Sequence, residues 1–310
     1  TVTPPESLVK YNAPLFNGIQ KDPNQSKGVV ENTSKLDEMM ADLKHELTEA
    51  FRANALAEAE ERSSLAVAGW FSTRGTATSV RAHFDALLAG LAALAPDIPV
   101  LAEESASEGK IPELGDRFFL VDPLDGTTNF LHGLPHFCIS IAHQRGSEII
   151  AGLIYDPLRD ETFAAEKGAG AYLNDQRLRV SARRTLAESV LATGIPTIRG
   201  AEAIMPFMKQ LAMMTDKVSA VRRFGSAALD LAYVAAGRYD GYWESDLRKW
   251  DIAAGLVLVR EAGGFVTDLN GAGTMLDSGN VLATNPDLHS TMLDLLRGAR
   301  KLPDWPETRL

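Results

Sequence analysis

The chain has 310 residues, 45% hydrophobic and 23% charged, with a formal net charge of −10. That length can bury a substantial core in one large domain or two, and the acidic balance argues against nucleic acid, whose phosphates want a basic face. No apolar run is long enough for a membrane span, and one cysteine, Cys138, cannot make an internal disulfide, so a cytoplasmic protein with no membrane partner is expected.

Residues 1–33 are polar and proline-containing and read as an N-terminal arm. A helix is expected from Ser34, with Leu36, Met39, Met40, Leu43, Leu47 and Phe51 at helical spacing. A second is expected over Val80 to Leu94, where Phe84, Leu87, Leu88, Leu91 and Leu94 form one stripe. From about residue 98 short apolar runs alternate with Gly, Pro and Asp. "IPVLAEES", "RFFLVDPLDG", "FCISIAHQRG", "SEIIAGLIYDP" and "ETFAAEKGAGAYLN" read as strands joined by tight turns. After about residue 185 strands and helices alternate, ending in a helix from about Asp287. The expected organisation is an arm (1–33), an α+β half (34–185) and an α/β half (186–310).

Three acidic features stand at the ends of expected elements. Glu103 and Glu104 follow one strand, Asp122 and Asp125 follow another, and Asp251 opens the helix "DIAAGLVLVREAG". Taken singly, each has an ordinary reading: Asp251 as an N-cap, the glutamates as solvated charges, the aspartates as turn formers. The pair in "VDPLDGTTNF" is harder to set aside. Pro123 fixes its own φ and keeps Asp122 out of the helical region, so the segment is stiff. Two carboxylates held about 4 Å apart repel by roughly 4 kcal/mol at an effective dielectric near 20. No basic residue lies between Arg117 and Arg145, apart from histidines, to offset that. Either the acids point apart or a hard cation, magnesium or calcium, sits between them. Next to them, a helix or turn opening at Gly126-Thr127-Thr128 would aim N–H groups at one spot suited to phosphate. Metal and phosphate side by side suggest phosphoryl chemistry.

"VDPLDGTTNF", "WDIAAG" and "EES" together resemble the inositol monophosphatase family of magnesium-dependent sugar phosphatases. The likeness extends through "FGSAALDLAYVAAGRYDGYWE" and "REAGGFVTD" and covers about residues 98–300. It implies a mixed α and β fold, a layered α-β-α-β-α sandwich of two sheet-containing halves, forming a homodimer. It implies two, or three, Mg²⁺ ions per site. The implied metal ligands are Glu103, Asp122, the Leu124 carbonyl, Asp125 and Asp251. Thr127 and Glu103 would orient the attacking water. Gly126 and Thr127 would hold the phosphate, Gly225, Ser226 and Ala227 would line the substrate, and Glu244 would accept ring hydroxyls. The implied reaction is attack by activated water on a small phosphorylated polyol or sugar. Inositol monophosphate is the first choice. Histidinol phosphate, fructose 1,6-bisphosphate or a 3′-phosphonucleotide is the alternative on the same scaffold. A weakly active scaffold serving a protein partner is the alternative of another kind. The first hundred residues depart from the pattern: Ser79 stands where the family places an aspartate that helps hold a third metal, and no lysine lies between Lys44 and Lys110.

Overall fold

The computed structural model describes residues 85, 87–92, 95–107, 109, 111–196 and 201–302. The expected arm, the helix expected from Ser34, and Ser79 lie outside the described residues, as do Phe84 and Leu94 of the second stripe. Residues 87–92 of that stripe are helical, with Leu87 and Leu91 buried.

Among the described residues two sheets carry the fold. The larger has seven strands in chain order: β1 (Val100–Ala102), β2 (Arg117–Asp125), β3 (Cys138–Arg145), β4 (Glu148–Asp156), β5 (Glu161–Glu166), β6 (Gly170–Leu173) and β7 (Gln176–Arg177). β1 and β2 run parallel; every later pairing is antiparallel. The tight turns follow from Gly146 and Gly168, which take positive φ at the strand connections, where glycine meets no steric cost.

The smaller sheet contains β8 (Val190–Thr193), β9 (Ala220–Arg222), β10 (Gly241–Glu244), β11 (Phe265–Thr267) and β12 (Val281–Thr284), in the spatial order β11-β12-β10-β8-β9. Among the described residues, besides helical 87–92, the α-helices that accompany the sheets are α1 (Glu103–Ser107), α2 (Thr127–Leu131), α3 (Ala201–Thr215), α4 (Ala227–Ala235), α5 (Lys249–Glu261), α6 (Met275–Ser278) and α7 (His289–Ala299).

Side-chain alternation explains the layering. On the small sheet Ala192, Tyr242, Val281 and Ala283 join one core with α4, α5 and the inner face of the large sheet. Their neighbours Leu191, Trp243 and Leu282 point the other way, into a second core with Met214 of α3 and Met292 and Leu296 of α7. Helices α4 and α5 therefore lie between the sheets, and α3 and α7 cover the small sheet from outside. The outer face of the large sheet is buried too, through Phe119, Val121, Ile139, Ile141 and Leu153. This is the expected mixed α and β sandwich. The central helices explain their own sequences: all nine residues of α4 are buried, and so is the run Ile252–Val259 of α5, so both read apolar all round.

The close fit of α5 on the large sheet depends on Gly152 of β4. A Cβ there would stand 2.8 Å from the Cα and carbonyl oxygen of Ala254, which are backbone atoms that cannot rotate away. Gly152→Ala is therefore expected to cost about 1–3 kcal/mol. The check is the urea unfolding midpoint, which should fall at unchanged slope. An unaltered midpoint would mean that the sheet and helix yield freely.

Candidate active site

The acids assemble at strand ends and helix starts, and strand pairing explains why. Parallel β1 and β2 match Ala102 with Val121, so the next residues, Glu103 and Asp122, stand side by side. Glu103 does not continue the strand; it opens helix α1. Asp122 and Asp125 also differ from the sequence expectation, because they lie within β2 rather than after it. Asp122 faces Ser140 and Asp125 faces Cys138, so three steps on β2 oppose two on β3. That is a one-residue bulge. In an unbroken strand, residues three apart point to opposite faces. The bulge resets the alternation and puts both aspartates on the face of Ser140 and Cys138, toward α4 and α5. Pro123 sits inside it, where its missing N–H costs no ladder bond.

Each acid then has a defined partner. Asp122 Oδ1 accepts from the Leu124 N–H at 2.9 Å. Asp125 Oδ2 accepts from the Ser226 hydroxyl at 2.6 Å and the Ala228 N–H at 2.8 Å, with the Cys138 thiol 3.9 Å away. One Asp125 oxygen is thereby fixed by the first turn of α4. The Ser226 hydroxyl, 1% exposed, also caps α4 by accepting from the Leu229 N–H. Its side chain thus faces Asp125 and the helix end. Asp251 is the third residue of α5 rather than its N-cap. The Arg248 N–H donates to its Oδ2 at 2.7 Å, which leaves the other oxygen available. The Leu124 carbonyl accepts from the Thr127 hydroxyl at 2.9 Å and keeps a second lone pair.

Helix α2 begins as expected at the glycine. Gly126 has φ 92° and Thr127 is the first helical residue. The first-turn N–H groups have no acceptor within the helix. The Asn129 amide ties this segment to the residues before α4, donating at 2.7 Å to the carbonyls of His136 and Phe224. Gly225, next to Phe224, takes φ 85° and brings Ser226 to Asp125.

Electrostatically the site is under load. Burial raises Asp122 well above the usual carboxylate range, and Asp125, Glu103 and Asp251 add to the effect. Burial raises Asp125 to about 6, against the pull of Ser226 and Ala228. Burial, then the charge of Asp125, raises Asp251 to about 8. Burial also raises Glu103, with contact to Asp122 and the charge of Arg248 pulling it back. Among the described residues, no three acid, histidine or cysteine side chains stand at the spacing of a ready-made metal cage. The site acids nevertheless face one another: Glu103 contacts Asp122, and the charges of Asp125 and Glu103 act on Asp251. Their donor set still fits a hard divalent cation: all oxygen, with a free carboxylate oxygen on Asp125 and Asp251 and a backbone carbonyl beside them.

Glu244 ends β10 and has its carboxyl bonded by the Tyr242 hydroxyl; burial raises it to about 7. His136 is 8% exposed, lies tilted against Phe224 with ring centroids 5.0 Å apart, and is lowered by burial to about 4, so it is a neutral ring at pH 7. Sequence reading passed over Asp230. It is 1% exposed in the middle of α4, its Oδ1 has no hydrogen-bond partner, and burial with the charges of Glu244 and Asp125 raises it strongly. The available signal was a lone acid in the apolar run "AALDLAYVA".

A family model described as the inositol monophosphatase family matches residues 38–301. The chain belongs to this family. An inositol-1-monophosphatase of Mesorhizobium japonicum is 49% identical over 69% of this chain and 79% of its own. A Pasteurella multocida protein named Nus factor SuhB is 43% identical over 79% of this chain and 91% of its own. Among solved structures, the extragenic suppressor protein suhB of Bartonella henselae has a TM-score of 0.66 and 45% identity, covering 72% of this chain and 85% of that one. As an inositol monophosphatase family member the chain is a phosphatase. Among its described residues no helix is long and apolar enough to cross a membrane.

The raised acids give a signed pH prediction. Below about pH 4 the folded and unfolded chains both hold these protons. As pH rises the unfolded chain releases them first, so stability is lost up through the Asp251 value of about 8. Chelator-treated Asp251→Asn protein should therefore gain stability over wild type progressively from pH 5 to 8. The amide oxygen can still accept from Arg248. A difference in melting temperature that does not change with pH would refute the repulsion.

Proposed function

We propose that the protein is a Mg²⁺-dependent phosphomonoesterase acting on inositol monophosphate or a similar polyol phosphate. The observation that carries the reading is the bulged end of β2, which turns Asp122 and Asp125 to one face beside Glu103 and Asp251. Four acids crowded there, with Arg248 as the cation acting on Glu103, need further positive charge. Glu103, Asp122, the Leu124 carbonyl, Asp125 and Asp251 would hold two Mg²⁺ ions, or three. Bound magnesium would supply a Lewis acid for the phosphate and an activated water.

The chain's own groups do the rest. Ser226 and Ala228 fix one oxygen of Asp125, so its other oxygen keeps a constant direction. The Thr127 hydroxyl spends its proton on Leu124, which leaves its lone pairs to accept from the attacking water; Glu103 orients the same water from the start of α1. Gly126 and Thr127 offer first-turn N–H groups to the phosphate. Gly225 to Ala227 line the substrate and Glu244 accepts a ring hydroxyl. Neutral His136 is not needed as a base, and the buried Cys138 is not a nucleophile, because burial first, and then Asp125, hold its thiol protonated. An in-line, loose transition state asks for positioning and charge rather than covalent help. A cytoplasmic homodimer divided into halves near residue 185 completes the proposal.

Histidinol phosphate, fructose 1,6-bisphosphate and a 3′-phosphonucleotide are the alternative substrates. The relative named Nus factor SuhB favours a second reading, a weakly active scaffold serving a protein partner. Phosphate release separates these readings. Incubated with each of the four esters, the protein should release phosphate fastest from inositol 1-phosphate, and only with magnesium. Release from none of them would favour the scaffold. Asp125→Asn should abolish turnover while the circular dichroism spectrum stays native, because the Ser226 and Ala228 donors can still bond an amide oxygen. Near-normal turnover at limiting magnesium would exclude Asp125 as a ligand.

A further inference from the structure

β8 and β10 run parallel, with Thr193 opposite Trp243. The Thr193 hydroxyl donates to the Trp243 carbonyl at 2.7 Å, and Trp243 is fully buried. These contacts hold the two strand ends in step, so the residues that follow stand side by side: Gly194 just past the end of β8, and Glu244 as the last residue of β10. The nearest atoms that a Cβ on Gly194 would meet are all Glu244's: Oε1, Cδ and Oε2, each inside van der Waals contact. The Glu244 carboxyl therefore lies flat on the Gly194 backbone, and the Tyr242 hydroxyl holds its Oε2.

Gly194 does not have the positive φ that would require glycine, so an alanine could follow the same backbone. A side chain there would collide with the end of a flexible side chain rather than with backbone. The cost of adding one thus falls on where Glu244 points, not on whether the chain folds.

We propose that Gly194 is a positioning residue for substrate choice: its bare Cα is the seat that sets the reach of the Glu244 carboxylate toward a hydroxyl of the polyol. This rests on the reading of Glu244 as the ring-hydroxyl acceptor. A site built to bond a hydroxyl discriminates through that bond, and moving the acceptor by the width of a methyl group breaks it. The loss should fall on esters that carry ring hydroxyls, compared with esters that carry none.

The test compares inositol 1-phosphate with p-nitrophenyl phosphate, both with magnesium, on wild type, Gly194→Ala, Glu244→Ala and the double variant. Gly194→Ala should lower the ratio of kcat/KM values, polyol over aryl, by about tenfold, the size of one hydrogen bond to a charged group. The change should come mainly from a raised KM for the polyol ester. The double variant should be no worse than Glu244→Ala alone, because Gly194 acts only through Glu244. A Gly194→Ala ratio within about twofold of wild type, or a double variant showing the product of the two single effects, would overturn the proposal. If Gly194→Ala fails to fold, adding Glu244→Ala vacates the contested space and should restore folding; a double variant that stays unfolded also overturns it. Wild type that hydrolyses neither ester overturns the phosphatase reading, and this inference with it. Wild type active on both esters with an unresponsive ratio overturns the inference alone.

Discussion

The bond from the start of α4 to Asp125 is the joint on which the site turns. It links the end of the large sheet to a helix that packs on both sheets. The donors are a hydroxyl and a backbone N–H at a helix N-terminus, where a negative charge is favoured. The same serine closes the helix end, so capping α4 and orienting Asp125 are one act. Removing either partner would leave a buried charge or a buried donor unsatisfied, which costs more than the bond contributes. The bond also leaves one Asp125 oxygen for the proposed metal.

The acids work against the fold that holds them. Taking carboxylates out of water is costly, and placing them together costs more. The fold offsets this with two central helices buried along nearly all their length. Helix α5 serves both purposes at once: its first turn carries Asp251 and the rest is core. Its first turn is also fixed from outside, since the Ser140 hydroxyl donates to the Trp250 carbonyl at 3.2 Å. A site built on rigid helix ends in this way keeps its geometry while its charges are unbalanced.

Much of the architecture was legible in the sequence. The strand runs between 98 and 174 and the alternation after 185 match the elements found, because burial on one face or both writes itself into the apolar pattern. Helix α5 was legible, but the place of Asp251 within it was not. An N-cap and a third residue differ by one turn of backbone, which the pattern does not record. The acids themselves were legible as types. Their convergence was not, since Asp122 and Asp125 share a face only through pairing with β3. Asp230 and Gly194 were missed as contributors for the same reason, and Ser226 was read as lining the substrate rather than as the partner of Asp125. Their partners are, in turn, Glu244, again Glu244 and Asp125, residues from 14 to 101 positions away in the chain.

The bulge in β2 has a meaning for how such motifs are spelled. Acids three apart read as one face of a helix, and in a regular strand they would scatter to either side. Here the spacing is a parity correction: one surplus residue turns an odd step into an even one. The proline is then an instruction to the backbone, placed where an N–H would invite the strand to zip shut in regular register. The two acids supply the carboxylates, yet the letters between them decide whether the acids meet. An insertion or deletion of one residue in this stretch would leave every functional group present and still dismantle the site.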